Sequence, residues 1–331
     1  MKNGFFKLYL FIGMIFFTTL SSAADVNDPL PSWNNGTIKK NIIQFVQDVT
    51  DKTNKNYVSP EERIATIDDD GTLWVEQPVY TQVIFMLSRL KELAIKHPEW
   101  KQQEPFKSVL NNNYKNLTSE DMARIFAVTS SGMSVEDYHN IAKKWLNIAE
   151  NPHFKHHYTD LTYQPMIEVI NYLHQNNFKV YIVSGGGQDF MRAFSQGAYD
   201  IPPEQVIGST SKTQYVYQDN KPALIRIPQV LFISDKTGKP EAINLFIGKK
   251  PIIAFGNSDG DKQMLEWTQS NSGKTLMLLV HHDDAKREYA YDTQSKIGTF
   301  PTSLFDEAKK NNWRIISMKN DWKTIFPFEA K

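Results

Sequence analysis

The stretch Ile64-Ala65-Thr66-Ile67-Asp68-Asp69-Asp70-Gly71-Thr72 constrains this chain more than any other. A short apolar run bounded by turn residues reads as a buried strand, and this one stops abruptly at three carboxylates. Open α/β sheets bind ligands in the crevice beyond the carboxyl ends of their strands, which makes Asp68 and Asp70 candidate site residues. Carboxylates this close repel one another unless a cation sits among them, and hard oxygens suit Mg²⁺. Two carboxylates two residues apart can also divide a reaction, one attacking and the other moving protons. The bland alternative is an Asp-rich turn after a strand. The stretch alone does not decide between them.

The chain opens with Met1-Lys2, has a second lysine at Lys7, runs apolar from Leu8 to Leu20 and continues Ser21-Ser22-Ala23-Ala24. A basic start, a short greasy middle and small residues before a polar stretch predict a signal peptide over 1–24 and export to the periplasm or medium. Residues 25–36 read as a linker. There is no cysteine, so disulfides and thiol anchoring are excluded and the core holds unaided. Removing Lys2 and Lys7 from 37 basic side chains leaves 35 against 37 acidic ones. Such a balance carries no nucleic-acid footprint and no polybasic membrane patch. The expected partner is a small molecule, and no stable membrane anchor is expected after cleavage.

The period of the apolar residues changes along the chain. Ile38, Ile42, Phe45 and Val49 share a helical face that Thr37 is placed to cap. From 79 to 175 the pattern is helical: Val83, Leu87, Leu90 and Leu93 keep one face, Met166, Ile167, Ile170 and Leu173 another, and Ser134 with Asp137 resembles a capping box. Strand patterns follow at Val180–Val183, Ile252–Phe255 and Leu276–Val280. Tyr215–Tyr217 and Ala223–Ile227 form a hairpin pattern through Asp219-Asn220. Strands separated by helices predict an α/β protein, a mainly parallel sheet flanked by helices.

Three strand ends carry polar clusters: Asp68-x-Asp70-Gly71-Thr72, Ser184-Gly185-Gly186-Gly187, and Gly256-Asn257-Ser258-Asp259-Gly260-Asp261. Gly238-Lys239-Pro240-Glu241 precedes the last, with a lysine where a helix begins. This ordered set resembles the haloacid dehalogenase superfamily on its phosphatase side, in the phosphoserine-phosphatase-like branch, over roughly residues 60–285. The resemblance implies a Rossmann-like catalytic core (37–78 and 176–331) with an α-helical cap (79–175) inserted after the first core strand. It implies a Mg²⁺-dependent phosphomonoesterase in which Asp68 is the nucleophile and Asp70 the general acid and base. Thr72, Ser184, Gly185 and Lys239 would bind phosphate. Asp68, Asp70, Asn257 and Asp261 would form the metal site.

The residue types suit that chemistry on their own terms. A transferring phosphoryl group keeps its charge on peripheral oxygens, so fixed donors and cations carry most of the catalysis. Glycines after Ser184 let backbone approach a phosphate. One departure from the family pattern is Asn257, where many relatives carry aspartate. An amide oxygen ligates Mg²⁺ without adding charge, which leaves the third ligand open between Asn257, favoured here, and Asp261. Glu76, Gln77 and Arg192 are candidate substrate-pocket residues. Trp74 and Tyr80 either face substrate or pack the cap. His281-His282-Asp283-Asp284 has a metal-site composition, yet reads better as a strand end near the pocket mouth. The rival readings are another hydrolase of the same superfamily, a phosphonatase or dehalogenase, and a non-catalytic exported binding protein.

Overall fold

The computed structural model describes residues 28–114 and 117–329. The expected leader, 1–24, lies outside them. In chain order the elements are helix α1 (Thr37–Thr50), strand β1 (Ile64–Ile67), helices α2 (Thr81–Leu93), α3 (Phe106–Leu110), α4 (Ser119–Ser130), α5 (Val135–Leu146) and α6 (Gln164–Gln175), and strand β2 (Lys179–Gly187). Helices α7 (Gln188–Met191) and α8 (Ser195–Tyr199) lead to strands β3 (Val206–Gln218) and β4 (Lys221–Phe232). Then come helix α9 (Gly238–Phe246), strand β5 (Ile253–Gly256), helix α10 (Lys262–Gln269), strand β6 (Leu276–His281), helix α11 (Thr302–Lys310), strand β7 (Arg314–Ser317) and helix α12 (Met318–Asp321).

The seven strands form one sheet in the order β4-β3-β2-β1-β5-β6-β7. All neighbours are parallel except β3 and β4. β1 is central, with Thr66 registered against Tyr181 on one side and Ala254 on the other, and its four residues are all buried. Its neighbours split by period two. Ile253, Phe255, Leu278 and Val280 join one apolar cluster, and Ala254, Met277 and Leu279 the other. Alternate side chains of a strand point to opposite faces, so helices cover both. The protein is a Rossmann-like α/β fold.

Helices α2 to α4 gather a satellite core of their own, built from Met86, Leu90, Trp100, Phe106, Val109 and Ile125. Helix α6, within the 79–175 segment expected as cap, instead lays Met166, Val169, Ile170 and Leu173 into the same cluster as β1 and β2. The start of α5 is capped by Ser134, which accepts the Asp137 amide at 2.9 Å. A complete capping box stands at Thr118 and Asp121. At α1 the cap position is Gly36, and Thr37 is the first helical residue.

The hairpin is longer than its sequence pattern. β3 starts at Val206, paired in parallel with β2, and only then turns antiparallel with β4. Asp219 and Asn220 both take positive φ, 49° and 61°, the geometry of a tight hairpin turn that matches strand twist. β4 comes back over the sheet's carboxyl end onto the α4–α5 turn. There Gly132 N–H donates to the Arg226 carbonyl at 2.8 Å, and Arg226 N–H to Met133 at 2.9 Å. Among the described residues, no helix is long and apolar enough to cross a membrane.

Candidate active site

β1 delivers its last carboxylates to the carboxyl edge of the sheet. The Asp68 amide still pairs with the Phe255 carbonyl of β5 at 3.0 Å. The chain then folds into a tight turn, with Thr72 and Leu73 amides donating to Asp69 and Gly71 to Trp74. Gly71 makes the turn possible. Its φ is +74°, and a Cβ there would fall 2.1 Å from the Asn257 amide nitrogen and 2.3 Å from Glu76, so no other residue type fits.

Lys239, at the start of α9 and only 2% exposed, ties the site together. Its ammonium donates to Asp68 Oδ1 at 2.7 Å, Asp261 Oδ1 at 2.5 Å and the Val183 carbonyl at 2.9 Å. Asp261, at the start of α10, turns its other oxygen back to the amides of Asn257 (2.9 Å) and Ser258 (3.0 Å). Both of its oxygens are therefore engaged. Asp70 is held by the Trp74 indole N–H at 2.9 Å, and Trp74 stacks on Phe194 with centroids 4.4 Å apart. Trp74 thus packs and positions a carboxylate, and it does not line the cavity described below.

One buried ammonium faces Asp68, Asp70 and Asp261, so negative charge is in excess. Burial and the Asp261 charge lift Asp68 to about 7, against the pull of Lys239. Burial lifts Asp70 to about 6, opposed by the Trp74 hydrogen bond and Lys239. Burial works against the Lys239 ammonium, but Asp261 and Asp68 outweigh it and hold its pKa above the usual lysine range. Burial, with Asp70 beside it, raises Asp69 well above the carboxylate range, and the Tyr199 hydroxyl donates to it at 2.9 Å.

Ser184 is buried at the end of β2, where its hydroxyl accepts the Gly186 amide at 3.2 Å. Gly186 is open toward the site, and a Cβ there would lie 3.6 Å from Asp70 Oδ2. The Gly187 amide donates to Gln82 at 2.7 Å. Asp68, Asp70, Ser184, Gly185 and Lys239 all line one cavity of about 650 Å³ between the sheet edge, α2, α4 and β4.

Other expected residues lie elsewhere. The Thr72 hydroxyl is fully buried and donates to Asn257 Oδ1 at 3.2 Å, outside the cavity lining. Glu76 does line the cavity, and is 2% exposed. It accepts from Asn257 Nδ2 and the Tyr291 hydroxyl, each at 2.7 Å, and burial raises its pKa well above the carboxylate range. Gln77 faces away, bonding Ser295 and the Ile297 carbonyl at 3.0 Å. Arg192 is spent on the carbonyls of Pro203 (2.9 Å) and Val206 (3.3 Å). Neither reaches the cavity, because the turn after Glu76 and the α7 helix face their side chains to other loops. Lys236 pairs with Asp259 at the surface.

His282 is not placed as a metal ligand. Its ring nitrogens lie 2.7 Å from the Gly71 carbonyl and 3.1 Å from Glu288, and Tyr291 stacks on it. It braces the Asp68–Thr72 turn from behind. Asp283 accepts from Ser317 and the Lys319 amide, and Asp284 from Arg287.

The sequence reading missed the roof of the cavity. Arg226 of β4 is 3% exposed. It pairs with Asp189, donates to the Ser130 carbonyl at 2.8 Å and to Ser211 at 3.2 Å, and lies 4.1 Å over the Tyr138 ring. Tyr80, Gln82, Tyr138 and Phe126 also line the space. Strand alternation sets Arg226 opposite Ile225 and Ile227, so sequence alone turns it to solvent. Only the fold brings α4 and α5 over it.

Among the described residues, no cluster of three or more His, Cys, Asp or Glu side chains is placed to hold a metal alone. The donor chemistry nevertheless fits a hard cation. Asp68 and Asp70 are oxygen donors in a site with negative charge in excess, and the Asn257 oxygen, which accepts the Thr72 hydroxyl at 3.2 Å, keeps a second lone pair for a cation. Asp261, with both oxygens engaged, fits the role of holding Lys239 and the Asn257 backbone.

A buried aspartate pair and a lysine thus meet at the carboxyl edge of a Rossmann-like sheet, beneath a helical insertion. The family of haloacid dehalogenase-like hydrolases matches residues 65–266, and the chain belongs to it. No curated protein sequence matches the chain. Among solved structures it is similar to a protein of unknown function from Anaerococcus prevotii DSM 20548, at 16% identity, TM-score 0.55, covering 87% of this chain and 94% of that one. It is also similar to a protein of unknown function from Bordetella pertussis Tohama I, at 14% identity, TM-score 0.50, covering 77% and 98%. Looser superpositions include a phosphoserine phosphohydrolase-like protein from Francisella tularensis subsp. tularensis SCHU S4, at 15% identity and TM-score 0.34, covering 66% and 88%. At such identities the likeness is one of fold.

Proposed function

We propose that this hydrolase is an exported, Mg²⁺-dependent phosphomonoesterase acting on a small-molecule phosphoester. The observation that carries the reading is the meeting, in one cavity, of Asp68 held by Lys239 at 2.7 Å and Asp70 held by Trp74 at 2.9 Å. In this reading an Asp68 oxygen attacks phosphorus, the bond from phosphorus to the leaving oxygen breaks, and Asp70 gives that oxygen its proton. Water then attacks the aspartyl-phosphate and yields a proton to Asp70, which releases inorganic phosphate and restores Asp68. A pKa of about 6 suits Asp70 to both halves of that cycle.

Lys239, the Ser184 hydroxyl and the Gly185 backbone would bind the phosphate oxygens. Thr72 would act one step back, fixing the Asn257 amide. Asp68, the Asp70 carbonyl and Asn257 would hold Mg²⁺, which supplies positive charge to the phosphoryl oxygens and the crowded carboxylates. Export rests on the basic start, the apolar run Leu8–Leu20 and the small residues at 21–24.

Phosphate release from p-nitrophenyl phosphate, with Mg²⁺ and with a chelator, tests the activity. Asp70→Asn should lose about 10²- to 10⁴-fold on alkyl phosphates and clearly less on p-nitrophenyl phosphate, whose leaving group needs little protonation. Equal losses on both would remove Asp70 as the acid.

A further inference from the structure

Resting on the phosphomonoesterase reading of this site, we propose that the substrate's leaving group is uncharged and largely apolar, an alcohol or phenol bearing an aromatic or branched hydrocarbon body. Beyond the catalytic floor the cavity is walled by Val83 and Met86 of α2, Met122 and Phe126 of α4, and Val230 and Ile233 at the end of the hairpin. At about 650 Å³ it has room for a body far larger than the phosphate.

Charge narrows the class further. Two cations stand among the described lining residues, and both are committed: Lys239 between Asp68 and Asp261, Arg226 to Asp189, Ser130, Ser211 and the Tyr138 ring. A carboxylate or second phosphate on the leaving group would enter without a partner, which is costly in such a space. Asp189 is likewise spent on Arg226, which removes it as a receptor for an amine, and Asp235 lines the cavity only where it is exposed to water, so an ion pair there adds little. One buried polar group is left for orientation. The Tyr138 hydroxyl, on a residue 1% exposed, makes no hydrogen bond, although Gln82 stands near enough to influence its ionisation. It can take one ether or carbonyl oxygen of the leaving group. Hydrolysis of such an ester consumes one water, whose oxygen ends on phosphate, and releases the free alcohol.

Phosphonates with carbon in place of the ester oxygen separate binding from turnover. Calorimetry on the purified protein with Mg²⁺ should find 3-phenylpropylphosphonate binding on the order of 10- to 100-fold tighter than 3-hydroxypropylphosphonate or 3-aminopropylphosphonate. Phe126→Ala should shrink that ratio severalfold. Val230→Asp, at an exposed position, should do the same without disturbing the core. Equal affinities, or a preference for the hydroxyl or amine, would overturn the inference. Tight phenyl binding with no phosphate released from 2-phenylethyl phosphate would keep the apolar subsite and remove the phosphomonoesterase reading instead.

Discussion

Asn257 and Glu76 form one hydrogen-bonded unit behind the Asp68–Thr72 turn. The Asn257 amide nitrogen sits 2.7 Å from the Glu76 carboxylate, and that bond orients its oxygen to the Thr72 side. Replacing the amide by a carboxylate therefore sets two acids face to face, where like charges disfavour ionisation. Asn257→Asp alone should change the Mg²⁺ concentration for half-maximal activity little. The double variant Asn257→Asp with Glu76→Gln should lower it by about tenfold, since ligand charge tunes affinity for hard cations. A Mg²⁺ titration giving the same value for both would show that Glu76 does not govern position 257. Asp68, Asp70, Ser184 and Lys239 were legible because each sits at a strand or helix end marked by local sequence. Gln77 and Arg192 were not, because the direction of a side chain after a turn is set by whichever loop packs there.

Among the elements, the hairpin and the helices above it depend on one ion pair. Arg226 joins β4 to the α4–α5 turn through Ser130 and to α7 through Asp189, both charges largely out of water. Removing one partner of such a pair leaves the other buried and uncompensated. Arg226→Leu should cost about 3–5 kcal/mol in urea unfolding, and adding Asp189→Asn should recover a good part of it. No recovery would place the loss in packing against Tyr138 instead. The parallel strands were readable as apolar runs between helical patterns. Two features were hidden: the start of β3, which pairs in parallel before it becomes a hairpin, and β7, whose Arg314-Ile315-Ile316-Ser317 is too short to carry a period. Helix α6 shows the same limit. Its apolar face is plain in sequence, but whether that face meets cap or sheet is decided by partners elsewhere in the chain.

For the molecule as a whole, the crowded carboxylates link stability to pH and metal. Asp68 is raised from 3.8 to about 7 and Asp70 from 3.8 to about 6. Between those values the native state keeps protons that the unfolded chain has released. The metal-free protein therefore loses stability as pH rises through that window. A dication held by the charged carboxylates, as proposed, would act in the opposite sense by binding the native state selectively. The increase in Tm on adding saturating Mg²⁺ should thus be larger at pH 8 than at pH 5. Equal increases would mean that the metal does not sit among these groups.

In the proposed mechanism Asp68 carries the phosphoryl group. Turnover of an aryl phosphate quenched in acid, followed by proteolysis and peptide mass analysis, reads this directly. The expected result is a phosphorylated peptide containing Asp68, absent from the Asp68→Asn variant, which should fold normally and release no phosphate. Phosphate release without any phosphopeptide, or a phosphopeptide that persists in Asp68→Asn, would contradict it.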